Sequence, residues 1–191
     1  MARMARLILL RHGQSLFNLF FTATRRDPGL ADPPLSPAGR AQAEEAAARL
    51  ADRPIRRLIA SPYTRALETA RPIAARLGLP IEVSAGVRER FAFACDIGRP
   101  RSELEPAWPE AEFGDLPERW WPSRVESAEV VRARAEHFAA RFAATSDEEG
   151  EVLVVAHWGF ILALTGRSLA NGEAIELDPP LAVPREVIWH P

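Results

Sequence analysis

Two histidines and two arginines stand where apolar runs stop. "RLILL" (6–10) gives way to Arg11, His12 and Gly13, and "EVLVVA" (151–156) to His157, Trp158 and Gly159. A third run, "RRLIAS" (56–61), leads through "PYT" to Arg65. Short apolar runs of this kind read as buried strands. If the strands are parallel, their carboxyl ends share the crevice where such sheets hold ligands. An unperturbed imidazole is mostly neutral at pH 7 and can act on a substrate directly. Arginine grips oxyanions through a fixed two-pronged fork. Arg65 would also lie near a helix start, whose free N–H groups favour anions. Arg11, His12, Arg65 and His157 therefore converge on a pocket suited to a dianion.

The rest of the chain supplies the mounts. "LSPAGRAQAEEAAARL" (35–50) reads as a helix with Ser36 as N-cap and Pro37 at its first position. A second helix follows Arg65, with Thr64 as its expected N-cap and Gly78 as its stop. "IEVSA" (81–85) is a third short strand. Residues 86–124 lack periodicity and carry Trp108, Trp120 and Trp121 among several prolines, which predicts a lid over the site. From Ser127 to about Ala144, Val131, Ala135, Phe138 and Phe142 share one helical face. "EVLVVAH" (151–157) is a strand covered on both faces, "GFILALTG" starts a helix, and "REVIWH" (185–190) is expected as a final strand. Strands alternating with helices predict an α/β three-layer sandwich with a mainly parallel central sheet. The 191 residues suit a single domain, 1–191.

Composition narrows the classes. The net charge is −2, which argues against general binding to nucleic acid or a membrane surface. All 24 basic residues are arginine, which excludes Schiff-base chemistry and a P-loop lysine. Cys95 is the only cysteine, so no intrachain disulfide forms and a cytoplasmic setting is expected. The apolar stretch after Arg3 and Arg6 is too short for a signal-peptide core, and no stretch has the length of a membrane span.

"RHGQSLFN", "PLSPAGRAQA", "SPYTRALETA", "VRE" and "VAHWG", in that order, resemble the histidine phosphatase superfamily, the phosphoglycerate mutase-like family. The resemblance runs over roughly residues 6–166. It implies a phosphoglycerate mutase-like fold and makes His12 the nucleophile, whose imidazole takes the phosphoryl group and passes it to water. Arg11, Arg65 and His157 would stabilise the phosphoryl oxygens, with Asn18 as a neutral donor. Glu89 would protonate the leaving alcohol, Asp96 being the next candidate. Gly13 would turn its carbonyl to the His12 ring and fix the tautomer. Gln14, Ser15 and Trp158 would meet the substrate, and neither cofactor nor metal is implied.

These residues predict a phosphomonoesterase acting on a small phosphate ester. The alternatives are a phosphoglycerate mutase-type isomerase, a weakly active phospho-ligand-binding module, and a metal site on His12, His157, Asp96 and Cys95. A mutase needs an extended cover and cations dedicated to a carboxylate. The lid is short for that, although Arg88, Arg90, Arg99 and Arg101 could serve. An aromatic lid favours an apolar or ring-bearing leaving group. The oligomeric state stays open, a homodimer included.

Overall fold

The computed structural model describes residues 5–145 and 150–189. The elements run β1 (Arg6–Arg11), α1 (Leu16–Thr24), α2 (Pro37–Leu50), β2 (Ile55–Ala60), α3 (Thr64–Leu77), β3 (Ile81–Val83), α4 (Arg101–Ala107), β4 (Ala111–Glu112), α5 (Ala128–Thr145), β5 (Glu151–Ala156), α6 (Trp158–Thr165) and β6 (Ala174–Leu177). One mixed sheet has the order β4-β3-β2-β5-β1-β6, parallel except for β6, which runs antiparallel to β1. No helix among the described residues is long and apolar enough to cross a membrane.

Strand alternation sends successive side chains to opposite faces of the sheet. Ile8, Leu10, Leu153 and Val155 pack with α2 and α3, while Leu7, Leu9, Val152 and Val154 pack with α5 and α6. Apolar residues thus fill both faces of β1 and β5, and the three-layer sandwich follows. The predicted face of α5 is the buried one, with Val131, Ala135 and Phe142 inside and Phe138 partly so.

Several local expectations shift. Ser36 caps α2 as expected, accepting from the Gly39 N–H at 3.1 Å. Thr64 is the first residue of α3 and not its cap. The buried Asp32 carboxylate supplies the cap from a distant loop, accepting from the Thr64 N–H at 2.9 Å and its hydroxyl at 2.6 Å. Hydrophobic periodicity does not announce α1, a nine-residue helix whose Leu19 and Phe20 are exposed. Its signal is the capping box of Ser15 and Asn18.

The edge strand is Ala174–Leu177, and residues 185–189 form no strand; His190 lies outside the described residues. Only four residues pair with β1, too few to stand out against the β-branched tail.

The expected lid divides in two. Trp108, Phe113, Leu116 and Trp120 join the core beside α3, and β4 extends the sheet from β3. Only the part before it, including Glu89–Phe93, reaches the crevice.

Candidate active site

Because β5 lies between β2 and β1, the three strand ends identified from sequence are neighbours. Arg11 pairs in register with Ala156, so His12 and His157 follow side by side, with ring centroids 4.9 Å apart. The His12 N–H donates to the Ala156 carbonyl at 3.0 Å, locking the two loops together.

The turn after His12 is set by close backbone approach. A Cβ on Gly13 would lie 2.4 Å from the Gly39 oxygen, and one on Gly39 2.0 Å from the Gln14 oxygen. Neither position tolerates a side chain. The Gly13 carbonyl accepts from His12 Nδ1 at 2.7 Å. A carbonyl can only accept, so Nδ1 carries the proton and Nε2 keeps its lone pair. Thr69 fixes this carbonyl from behind: its hydroxyl accepts from the Gly13 N–H at 3.0 Å and donates to the Arg65 carbonyl at 2.7 Å. Burial, then the Arg65 and Arg11 charges, hold the His12 imidazole well below the usual histidine range, so it is neutral.

Arg65 is buried at the first turn of α3. Its Nη1 donates to the Cys95 carbonyl at 2.8 Å and its Nη2 to Asp96 Oδ1 at 3.2 Å. Asp96 Oδ2 accepts from the Ala92 and Phe93 N–H groups, each at 3.0 Å. That carboxylate holds Arg65 and a loop, and burial raises it above the usual carboxylate range. The Cys95 and Asp96 contacts turn toward Arg65, away from the metal cluster considered from sequence. Arg11 Nη1 donates to the Leu169 carbonyl at 2.6 Å, but its Nε is buried without a partner. Both ring nitrogens of His157, a fully buried side chain, likewise lack a partner. Arg11 lines the cavity described below, whereas His157 does not reach its lining and lies directly behind His12. Burial and then Arg65 hold the His157 imidazole well below the usual range.

Glu89 faces this group from the other side. Its Oε1 accepts from the Arg90 N–H at 2.7 Å and from the Gly159 N–H, in the first turn of α6, at 2.8 Å. A Cβ on Gly159 would lie 2.3 Å from that oxygen, so the glycine makes room for the carboxylate. Desolvation, with the Asp96 charge second, raises the Glu89 carboxyl to about 7.

Arg11, His12, Arg65 and Glu89 line a cavity of about 540 Å³. Asn18 lines it too. Asn18 Oδ1 accepts from the Ser15 N–H at 3.1 Å and from Asn171 Nδ2 at 3.2 Å, which leaves its own Nδ2 as the group to offer a ligand. Ser15 reaches the lining, although its main contact is the cap of α1. Gln14 does not line the cavity: its side chain accepts from the Ser36 hydroxyl at 2.7 Å and its N–H donates to Gln42, tying the loop to α2. Trp158 lines the cavity and donates from Nε1 to the Ser168 hydroxyl at 2.8 Å.

The tryptophans expected in a lid are absent from this lining, and Trp108 and Trp120 are buried in the core. Other aromatic residues replace them. Phe17, Phe21 and Phe93 pack ring on ring at 5.1–5.4 Å, and Trp189 stands 5.9 Å from Trp158 with Arg90 over its ring at 4.8 Å. Sequence reasoning missed Thr69, Asn171 and Trp189. Of these only Thr69 had a local signal, a hydroxyl one helical turn after Arg65.

A strand-end histidine pair, a buried and a half-buried arginine and a carboxyl raised to near neutrality form a site suited to a phosphoryl group. The histidine phosphatase superfamily (branch 1) matches residues 7–180, and the chain belongs to it. It is 33% identical over 174 residues to glucosyl-3-phosphoglycerate phosphatase of Mycolicibacterium vanbaalenii, covering 87% of this chain and 75% of that one. With the Mycobacterium tuberculosis enzyme of the same name it shares 32% over 175 residues, 87% of this chain and 76% of the relative. The solved mycobacterial glucosyl-3-phosphoglycerate phosphatase complexed with VO3 superposes with a TM-score of 0.63 at 26% identity, covering 91% of each chain. The protein is a phosphatase of this superfamily.

Proposed function

We propose that the protein hydrolyses phosphate monoesters of small metabolites through a phosphohistidine on His12. One observation carries this reading: a neutral His12 whose Nδ1 is held by the Gly13 carbonyl, leaving Nε2 its lone pair, lines one cavity with Arg11, Arg65 and Glu89. Nε2 attacks phosphorus and the ester P–O bond breaks. Glu89, protonated below about 7, gives its proton to the departing alkoxide. The resulting carboxylate then takes a proton from water as the water oxygen attacks phosphorus. The N–P bond breaks, orthophosphate leaves and His12 is restored. Arg11, Arg65, His157 and the Asn18 amide stabilise the charge on the transferring group, which is most of what phosphoryl transfer asks of a protein.

The cavity is large for a three-carbon ester. Its two aromatic walls suit a leaving alcohol that carries a ring, and Arg90 adds a cation for an acidic group. A glycosylated phosphoglycerate, the substrate in the name of the mycobacterial relatives, has both features and is the first compound to try. A cytoplasmic setting suits the unpaired, buried Cys95.

The test is to supply glucosyl-3-phosphoglycerate and, separately, 3-phosphoglycerate with a trace of 2,3-bisphosphoglycerate. Orthophosphate release, faster from the ring-bearing ester, is expected. Interconversion of 3- and 2-phosphoglycerate without phosphate release would establish a mutase instead. Brief incubation with a ³²P-labelled ester and alkaline quench should leave acid-labile label on the protein. Equal labelling of His12→Ala would refute the intermediate.

A further inference from the structure

Glu89 lies in a connection with no helix or strand of its own, just after a short 3₁₀ turn at Ala85–Val87. Two buried or half-buried side chains outside the cavity lining hold that connection. Glu126 is 5% exposed. Its Oε1 accepts from Arg88 Nη2 at 2.5 Å, and its Oε2 from the Phe91 N–H at 2.9 Å and Arg134 Nη2 at 3.3 Å. Its backbone N–H donates to the Phe91 carbonyl and its own carbonyl accepts from Arg90 Nε, both at 2.9 Å. From α5, Arg134 Nη1 donates to the Arg88 carbonyl at 2.6 Å and the Gly86 carbonyl at 3.4 Å, and Nη2 to the Glu89 carbonyl at 3.3 Å.

Every residue from Arg88 to Phe91 is thus gripped by Glu126, Arg134 or both. We propose that Glu126 and Arg134 are positioning residues for proton transfer by Glu89, a clasp that holds its carboxyl at the leaving oxygen. This rests on Glu89 being the proton donor.

Stability alone explains such a cluster poorly. Burying a carboxylate between two guanidiniums costs desolvation that apolar packing would avoid. Arg88 Nε and Arg134 Nε are also left buried without partners. The arrangement instead supplies direction. The Arg90 and Gly159 N–H groups occupy Oε1, which leaves Oε2 to carry the proton. A few tenths of an ångström in the backbone of residues 88–91 would carry that oxygen away from the ester, and a proton donor acts only within hydrogen-bond reach.

The experiment compares kcat/KM, which reports the steps through phosphorylation of His12, on glycerol 2-phosphate and on 4-nitrophenyl phosphate. The nitrophenolate leaves without a proton. Glu126→Gln and Arg134→Met should lose about 10- to 100-fold on the alkyl ester and under about 3-fold on the aryl ester. Arg134→Lys, which restores a charge and donors, should recover part of the loss. Circular dichroism establishes folding, and if Glu126→Gln does not fold, the two Arg134 variants decide. Glu89→Gln is measured alongside. If it loses activity on the alkyl ester selectively while the folded clasp variants lose both substrates equally, or neither, the clasp is refuted and Glu89 stands. If Glu89→Gln is itself unselective, the proton-donor reading fails and the clasp with it.

Discussion

Where β1 and β5 begin, Arg53 donates to Glu151 at 2.5 and 2.8 Å and to Glu176 at 2.6 Å, while Arg6 reaches Glu176 at 3.1 Å and Asp178 at 2.9 Å. Where the same strands stop, Arg11 keeps an unpartnered Nε and His157 two unpartnered nitrogens, all deeper in the protein than the Arg53 network. Charges at the first end answer one another in partial contact with water. At the second, Arg11, His12 and Arg65 line a cavity of about 540 Å³. One sheet therefore has a structural end, where charges pair with one another, and an end that opens on the cavity, which the proposed function makes the reactive one.

Substitutions at the reactive end should cut activity hardest. Arg11→Ala should lower kcat/KM by about 10²-fold or more, as for removing a charged donor from the transition state. Arg11 is the cleaner probe, because Arg65→Ala would also strand the buried Asp96 carboxylate. Near-normal turnover by Arg11→Ala would mean that its free Nε does not face the phosphoryl group.

The next effect is one of pH. Desolvation raises the Glu89 carboxyl to about 7, so it is protonated below that pH and loses its proton above it, and with it the proton-donor role proposed above. kcat/KM on an alkyl phosphate should therefore fall tenfold per pH unit above about 7. His12, held well below its usual range, stays neutral there and should add no limb. The fall should vanish in Glu89→Gln; its persistence would assign it to another group.

A smaller change is expected one layer out. Thr69→Val removes the hydroxyl that anchors Gly13 and so loosens the carbonyl that sets the His12 tautomer. A loss of about tenfold in kcat with little change in KM is the expectation, in line with other outer partners of reacting groups. An unchanged kcat would show that the Gly13–Gly39 crossing alone fixes the turn.

At the structural end the sign reverses. Arg53→Met should leave kcat and KM unchanged and cost about 1 kcal/mol of stability, read as a lower Tm and smaller at high salt. Loss of turnover by the folded variant would erase the distinction between the two ends.

Much of the reactive end is readable because it is local. A leucine-rich run that stops at Arg11-His12-Gly13 tells where the strand ends and what lies beyond it. The same holds for Ala156-His157, and parallel strands share one edge. Residues 86–124 show the opposite case. Trp108 and Trp120 look like cover for a site, but an apolar side chain carries no mark of which surface it will meet, and the core beside α3 took them. Gln14 and Ser15 sit close to His12 in sequence, yet Gln14 turns to α2 and Ser15 caps α1.

By itself the sequence determined the central mounts: that β1, β2 and β5 are buried strands, where each stops, and that Arg11, His12, Arg65 and His157 follow their carboxyl ends. Periodicity and turn residues encode these things over a few positions. Tertiary structure alone decided how the two candidate carboxylates are held. Glu89 and Asp96 are seven residues apart and chemically alike. Both line the cavity and burial raises both, but Asp96 accepts from the Arg65 guanidinium and two backbone N–H groups, while Glu89 accepts from the Arg90 and Gly159 N–H groups and is raised to about 7. Proton affinity depends on what surrounds a carboxyl in space, and those surroundings come from segments far apart in the chain.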